Sequence, residues 1–350
     1  MATIQDVALR AEVSVSTVSN VLNGRADRMR PETLARVQAA IQALAFRPSK
    51  LAQQLKTGHT PLVGLLVPSM ANPMYGFIAR EIEAVAQRQF EHRLLIGSTY
   101  RDRDKEAAFF EDLLAHGVRR VIVISSLADE RHFETAVQRG MSVVSYDRRA
   151  SAGQRTGVSH VTPDNFEAAR RATEHLIARG HRKLAFVTVA GLTMSRSEKI
   201  RGFVSAAEAA GLRKQAQVLD GGRLDEYGDS VIAEVGRSTG LQLAASTRRP
   251  TGLVALNDLM ALGLLAGLRE GGLVVPRDLS VVGIDGLFLS ALSNPALTTV
   301  QLPVREMARE MVERVMRPRG GGPPDEHERL FAPAELVERE SVAPPPKVRR

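Results

Sequence analysis

The chain has 350 residues, of which 44% are hydrophobic and 25% are charged, so it is long enough for several domains and has the balance of a globular protein. The absence of cysteine excludes disulfide bonds and thiolate metal sites, and no apolar run approaches the roughly 18 residues of a membrane span. The formal net charge is +8, and residues 1–60, with eight Lys or Arg against four Asp or Glu, carry half of it, which favours a nucleic-acid partner for this segment.

The first residues predict two short helices joined by a tight turn. Thr3 fits the N-cap of the first helix, with Asp6 as its capping-box partner. The apolar positions of this helix recur at helical spacing: Ile4, Val7, Ala8 and Ala11. After a break at residues 12–14, Ser14 is expected to cap a second helix over residues 15–22. Such a pair predicts a helix-turn-helix, whose second helix fits the major groove of DNA.

A third helix and a short hinge segment follow. Pro31 suits the first turn of the third helix, whose apolar positions would close a small core: Leu34, Val37, Ile41 and Leu44. After the break at Pro48, Ser49 is expected to cap a last segment that extends to Lys56. An isolated helix of about two turns is marginal in water, so this hinge is expected to fold only beside its twin on DNA.

From Pro61 onward, short apolar strands alternate with helical segments. Strands are expected at 62–67, 94–97, 121–124, 143–146, 184–187, 252–256 and 280–284. Helices are expected at 74–88, 104–116, 130–139, 164–179, 196–210, 226–238 and 258–270. This alternation predicts two runs of parallel strands covered by helices, with a ligand crevice near the carboxyl ends of the strands.

Motifs at the N-terminus and in the later half carry a family resemblance. The N-terminal ones are Thr3-Ile4-x-Asp6-Val7-Ala8, Val13-Ser14-x-x-Thr17-Val18-Ser19-x-Val21-Leu22-Asn23 and Pro48-Ser49-x-x-Ala52-x-x-Leu55. The later ones include Asp164-Asn165, Gly180-His181-Arg182-Lys183, Asn257-Asp258 and the stretch from Val275 to Gly283. Together they resemble the LacI/GalR family of bacterial repressors over about residues 2–342.

The resemblance implies an N-terminal all-α helix-turn-helix headpiece with a hinge helix, followed by an α/β periplasmic-binding-protein-like domain of two parallel-sheet subdomains. The implied boundaries are 1–46 for the headpiece, 47–60 for the hinge helix and linker, 61–161 plus 291–322 for the N-terminal subdomain, 162–290 plus 323–342 for the C-terminal subdomain, and 343–350 for a disordered tail. The chain would then cross between subdomains near residues 161, 290 and 322. The Pro-rich tail has no leucine heptad, so a homodimer rather than a tetramer is expected.

The resemblance also implies which residues bind DNA. Val15, Ser16 and Asn20 would contact base edges, and Leu55 would wedge into the minor groove at the operator centre. The other implied DNA-binding residues are Thr3, Ser14, Thr17, Ser19, Asn23, Lys50, Ala52 and Lys56. The residues themselves leave alternatives open, since Val15 could belong to the core and Leu55 could simply pack on Leu51.

For the ligand crevice, the resemblance implies Met74, Tyr75, Asp147, Lys199, Asn257 and Asp285. Carboxylates and amides at strand ends suit hydrogen bonds to sugar hydroxyls, and an aromatic ring can stack on a sugar face. Two positions depart from the family, because Lys199 stands where Arg is usual and Gly286 follows Asp285 in place of a second Asp. The alternative interpretation of these residues is strand-end caps or surface polar groups.

These features predict a cytoplasmic, homodimeric transcriptional repressor that binds a palindromic DNA operator and responds to a sugar or sugar acid. A solute-binding receptor and a sugar-acting enzyme with a fused helix-turn-helix are the alternatives. The sequence has no G-x-S-x-G, H-E-x-x-H or phosphate-binding loop motif, and its histidines lack metal-ligand spacing. We therefore expect no catalytic site, metal, cofactor or membrane partner.

Overall fold

The structure is a computed structural model, and the residues it describes are 2–22, 24–26, 29–46, 60–100, 102–125, 131–146, 157–191, 193–221, 230–317, 328–332 and 335–346. The chain forms two compact units, residues 1–60 and 61–350. The expected hinge helix, with Lys50, Ala52, Leu55 and Lys56, lies outside the described residues, as do Asn23 and Asp147.

The first unit contains three helices, α1 (Ile4–Arg10), α2 (Val15–Leu22) and α3 (Pro31–Ala43). The predicted capping box is confirmed, since the Thr3 backbone N–H donates to Asp6 Oδ2 at 2.7 Å and the Asp6 N–H donates to Thr3 Oγ1 at 3.2 Å. The bond from the Thr3 backbone lowers the pKa of Asp6 below its ordinary value. Fixing both partners in this way sets the start of α1.

A small apolar core joins the three helices. Val7 of α1, Val18 of α2 and Val37 of α3 are all fully buried. The chain turns between α1 and α2 at Glu12, which has φ of +52°. The predicted three-helix core is confirmed for Val37, Ile41 and Leu44, whereas Leu34 is half-buried and does not belong to it.

The second unit contains two six-stranded sheets. The first sheet comprises β1 (Leu62–Val67), β2 (Arg93–Ser98), β3 (Arg120–Ile124), β4 (Ser142–Tyr146), β5 (Ser159–Pro163) and β11 (Glu328–Phe331). The second comprises β6 (Leu184–Thr188), β7 (Ala216–Asp220), β8 (Gly252–Ala255), β9 (Ser280–Asp285), β10 (Thr298–Gln301) and β12 (Glu335–Val337). Their strand orders are β11-β5-β4-β3-β1-β2 and β12-β10-β9-β8-β6-β7, and β12 is the antiparallel strand. The predicted fold of two parallel-sheet subdomains is confirmed, because the two orders repeat one topology.

Helices connect and cover these strands. They are α4 (Pro73–Phe90), α5 (Arg103–Ala115), α6 (Arg131–Gln138), α7 (Asn165–Ala178), α8 (Met194–Ala209), α9 (Ser230–Ala245), α10 (Asp258–Glu270), α11 (Leu289–Leu292) and α12 (Val304–Met316). Among the described residues, none of these helices combines the length and the apolar character needed to span a bilayer. The same residues contain no group of three His, Asp or Glu side chains suited to hold a metal ion.

Two of the three crossings between the sheets lie later than expected. β10 pairs with β9 in the second sheet, and the chain returns to the first sheet only with α12, which packs on β3, β4 and β5. β11 then belongs to the first sheet, so the crossings lie near residues 164, 302 and 332. The expected boundaries at 290 and 322 are corrected accordingly. The short helix α11 and the turn at Asn294-Pro295 interrupt the chain without moving it to the other sheet.

Helix α9 continues to Ala245, although the sequence pattern placed its end near residue 238. Glycines usually end helices, but here Gly236 and Gly240 face the backbone of α10, while Gly263 and Gly267 of α10 face α9. A Cβ at any of the four would overlap a carbonyl oxygen of the facing helix. The glycines therefore allow two helices to pack closely.

The first residue of the expected disordered tail is held in the structure. The Ala343 N–H donates to Ser280 Oγ at 3.1 Å, and the Ala343 carbonyl accepts from His181 Nε2 at 2.9 Å. Residues 347–350 lie outside the described residues.

Candidate DNA-reading surface and ligand cavity

Ser14 forms the N-cap of α2, as predicted. Its Oγ accepts from the Thr17 N–H at 3.2 Å and lies 2.7 Å from Ser16 Oγ and 2.8 Å from Thr17 Oγ1. Three hydroxyls therefore cluster at an exposed helix N-terminus, where backbone N–H groups and the helix dipole attract anions such as phosphate.

One face of α2 is buried and the other is open. Val18 is fully buried, whereas Val15 is 43% exposed and Ser16 and Asn20 are also exposed. The alternative that Val15 belongs to the core is therefore wrong. On this exposed face, the apolar surface of Val15 suits a thymine methyl, and the amide of Asn20 suits adenine. The hydroxyl of Ser16 can bond to any base.

The other implied DNA-binding residues differ in their surroundings. The Thr3 side chain is already engaged with Asp6 in the capping box. Thr17 and Ser19 are half-buried on α2. Their contacts with DNA stay a prediction.

A cavity of about 80 Å³ lies at the carboxyl ends of strands from both sheets of the second unit. Its lining residues are Asn72, Met74, Tyr75, Tyr146, Pro163, Asn165, Thr193, Ser195, Arg196, Lys199, Ile232, Leu256, Asn257, Asp285 and Leu302. Parallel α/β folds bind ligands at this edge, because the strand ends and the following helix N-termini converge there.

Five of the six residues implied for ligand binding line this cavity: Met74, Tyr75, Lys199, Asn257 and Asp285. Sequence reasoning did not select Asn72, Asn165 or Arg196, which line it as well. Asn72 precedes Pro73 at the start of a helix, a capping pattern that could have placed it near a strand end. Whether these residues contact a ligand stays a prediction.

The N-termini of four long helices border the cavity. Asn72 Oδ1 caps α4 by accepting from the Met74 N–H at 3.0 Å, and Asn257 Oδ1 caps α10 by accepting from the Met260 N–H at 2.9 Å. Thr193 caps α8, and Asn165 is the first residue of α7. In both asparagine caps the carbonyl oxygen is used by the helix, which leaves the amide NH₂ as the group with donor capacity.

Two buried cations from α8 also line the cavity. Lys199 is 7% exposed, and its Nζ donates to the Leu256 carbonyl at 3.1 Å. Arg196 is similarly buried, and its guanidinium donates to the carbonyl of Gly191 at 2.6 Å. Both side chains are thereby fixed by backbone acceptors.

Asp285 stands on an unusual turn, with φ of +130°, followed by Gly286 at φ of +76°. The fully buried Asp258 holds the neighbouring backbone. Its Oδ2 accepts from the Leu287 N–H and from Ser290 Oγ, both at 2.7 Å, and its Oδ1 accepts from Thr299 Oγ1 at 2.5 Å.

Burial raises the pKa of Asp258 to about 6, while the hydrogen bonds from Thr299, Ser290 and the Leu287 backbone oppose that rise. Because this carboxylate ties together the residues after β9 and those of β10, it positions the turn that carries Asp285.

Comparison with known families matches both parts of the chain. Residues 3–49 match the family described as bacterial regulatory proteins, lacI family, and residues 173–342 match a periplasmic binding protein-like domain.

Full-length relatives are regulators. The chain is 30% identical to the HTH-type transcriptional regulator GalS of Salmonella typhimurium, over 98% of this chain and 97% of that one. It is 32% identical to the HTH-type transcriptional repressor PurR of Erwinia tasmaniensis, over 99% and 98%. Among solved structures, the lac repressor dimer bound to operator and the anti-inducer ONPF superposes with a TM-score of 0.80 at 24% identity, over 98% of this chain and 99% of that one.

Proposed function

Because the chain belongs to the LacI family of bacterial transcriptional regulators, we propose that it binds a palindromic operator as a homodimer and that a small polar effector in the cavity controls this binding. DNA-binding transcriptional regulation is the function that its full-length relatives share. The exposed face of α2 is the observation that carries the proposal, since it offers base-reading groups on a helix of suitable length.

The proposed contacts divide by role. Val15, Ser16 and Asn20 read base edges, while Ser14 and Thr17 contact phosphates at the N-terminus of α2. Because a twofold dimer presents two such helices, the operator is an inverted repeat of about 14–20 base pairs. In the hinge, which we assign to residues 47–60, Leu55 wedges into the central base step.

The proposed effector is polyhydroxylated. Asn72 and Asn257 supply amide donors, and Asp285 supplies carboxylate oxygens that accept from hydroxyls. The cavity volume of about 80 Å³ is smaller than the roughly 300–1,000 Å³ of drug-sized sites, so the effector is small or the two subdomains move apart to admit it. A rotation of one subdomain against the other is a mechanism by which ligand binding can change DNA affinity, and the coupling free energy is typically about 1–3 kcal/mol.

We further propose that the protein acts in the cytoplasm, where its DNA target lies, and that it does not transform its effector. The relatives are regulators rather than enzymes, which supports this assignment. A solute-binding receptor would need the cavity but not the exposed face of α2.

A mobility-shift titration tests the proposal against that alternative. Full-length protein is titrated onto the DNA upstream of its own gene and onto a shuffled fragment of the same composition. We expect a complex on the native fragment at a concentration at least about tenfold lower, because specific affinity exceeds non-specific affinity by large factors. Equal affinity for the two fragments would contradict an operator at that position.

A further inference from the structure

Lys199 is a buried cation that has no carboxylate partner among the residues the structure describes. The residue lines the cavity, and the Leu256 carbonyl is the hydrogen-bond partner of its Nζ at 3.1 Å. Among the described residues, no carboxylate oxygen lies within 4 Å of Nζ, even though Asp285 lines the same cavity. Because an ammonium group has three donors and buried charges are normally paired, Nζ retains capacity for an anionic partner.

The surroundings of Lys199 also favour a negatively charged ligand. The N-termini of α4, α7, α8 and α10 border the cavity, and each carries partial positive charge from its unpaired N–H groups. The capping oxygens of Asn72 and Asn257 are turned to the helices, so the free groups of these amides are donors.

We propose that the effector carries an oxyanion, a carboxylate or a phosphate, that accepts directly from Lys199 Nζ. This inference rests on the proposed ligand-binding function of the cavity and names the class of ligand. The hydroxyls of the same molecule face Asp285, so the ligand is a sugar acid or a sugar phosphate rather than a neutral sugar. The oxyanion provides a counter-charge for Lys199, which has no carboxylate partner among the described residues, whereas the hydroxyls of a neutral sugar can accept from Nζ but carry no charge.

Thermal-shift titrations of the full chain with matched neutral and anionic compounds test the proposal. The sets are D-glucose, D-gluconate and D-glucose 6-phosphate; D-galactose and D-galacturonate; and D-ribose and D-ribose 5-phosphate. We expect an anionic member of a set to stabilise the protein at concentrations at least tenfold lower than its neutral counterpart. The carboxylate and phosphate members distinguish the two sources of the oxyanion.

Variants assign the effect to Lys199. Lys199→Met should weaken binding of the anionic compound at least tenfold, whereas Lys199→Arg should retain most of it. Lys214→Met is the matched control, because Lys214 is an exposed lysine that does not line the cavity. Unchanged affinity in Lys199→Met, or equal stabilisation by neutral and anionic members, would overturn the proposal.

Crystals of the full chain soaked in selenate provide a test that needs no effector. We expect an anomalous selenium peak beside Lys199 Nζ in the wild type and none in Lys199→Met. Absence of the wild-type peak would overturn the proposal.

Operator binding is measured separately. A protein that binds the anion through Lys199 but binds no specific DNA would contradict the proposed regulatory function while leaving this inference intact.

Discussion

The N-terminus of α2 and the helix N-termini around the cavity are both capped by polar side chains, but in opposite surroundings. At α2 the capping hydroxyl of Ser14 is exposed, so its neighbours Ser16 and Thr17 lie near solvent and can meet a large polyanion. Around the cavity, the caps Asn72 and Asn257 are buried. The comparison indicates that substitutions on α2 should change binding with little effect on folding, whereas substitutions around the cavity should change both.

Among substitutions at buried positions, those at the contact between α9 and α10 should reduce the free energy of unfolding the most. In Gly267→Ala, the added Cβ would overlap the carbonyl oxygen of Arg237 on the facing helix, and that backbone cannot move aside as a side chain could. We expect the free energy of unfolding of the second unit to fall by about 3 kcal/mol, the upper end of ordinary overpacking costs. Urea unfolding followed by circular dichroism measures this loss.

Gly76→Ala is the matched control for that experiment. Gly76 lies in α4, and no atom stands within 4 Å of the position that a Cβ would occupy there. Replacing glycine by alanine inside a helix should therefore stabilise the protein by about 0.5–1 kcal/mol. If both variants shift stability in the same direction, close helix packing is not the reason for the glycines in α9 and α10.

Asp258→Asn should have the next largest effect. The amide cannot accept from the Leu287 N–H, Ser290 and Thr299 together, so at least one buried donor loses its acceptor. We expect a loss of about 2 kcal/mol of unfolding free energy, the range for a buried unsatisfied group. Asp112→Asn at an exposed position of α5 should be neutral, and a loss in Asp258→Asn no larger than in this control would show that Asp258 does not hold the turn.

Asn20→Ala should affect DNA binding without affecting folding. Unfolding free energy should stay within about 0.5 kcal/mol of wild type, because Asn20 is exposed. Affinity for the operator should fall by about 1–3 kcal/mol, with a smaller change on shuffled DNA. Fluorescence anisotropy on both duplexes measures the difference. An equal loss on both would identify Asn20 as a phosphate contact.

The smallest effect concerns pH. Burial is the main reason why the pKa values of His175 and His181 are lowered, and His181 is bonded to Thr251, Ser280 and Ala343. A lowered folded-state pKa means that the unfolded chain binds more protons, so this stability is present above the ordinary value near 6.5 and is lost as pH falls through the folded pKa.

We therefore expect the Tm to fall between pH 7.5 and 5, and His175→Asn with His181→Asn to flatten part of that fall. Asp258 acts in the opposite direction, because its raised pKa makes its contribution decline as pH rises through about 6. The difference between wild type and the double variant isolates the histidines. A fall of equal size in both proteins would contradict their role.

Much of the fold could be predicted from the sequence, because buried parallel strands are continuous apolar runs and capped helices begin at recognisable residues. The strand Leu62–Val67 and the capping box of Thr3 and Asp6 are examples. Features that depend on distant contacts could not be predicted. Gly240, just beyond the predicted end at residue 238, lies inside α9 because it faces the backbone of α10, and the return of the chain to the first sheet depends on pairing between β9 and β10.

The candidate site was predictable only in part, for the same reason. Lys199 and Asp285 follow from the family resemblance, and both line the cavity. Arg196 lines it because helices from both sheets converge, which no local pattern encodes, whereas the Asn72-Pro73 capping pattern indicates a helix start but not the cavity. Asp258 resembles any acidic residue in the first turn of a helix, so its bonds to Ser290 and Thr299 required the tertiary structure.

The most direct test of the account is an in vitro selection of DNA by the full-length protein from a random duplex library. We expect wild type to enrich an inverted repeat, and a variant with Val15, Ser16 and Asn20 replaced by those of another family member to enrich a different half-site in the same arrangement. Equal unfolding free energies would exclude a folding defect as the cause. Enrichment of the same half-site by both proteins would contradict the claim that the exposed face of α2 reads DNA.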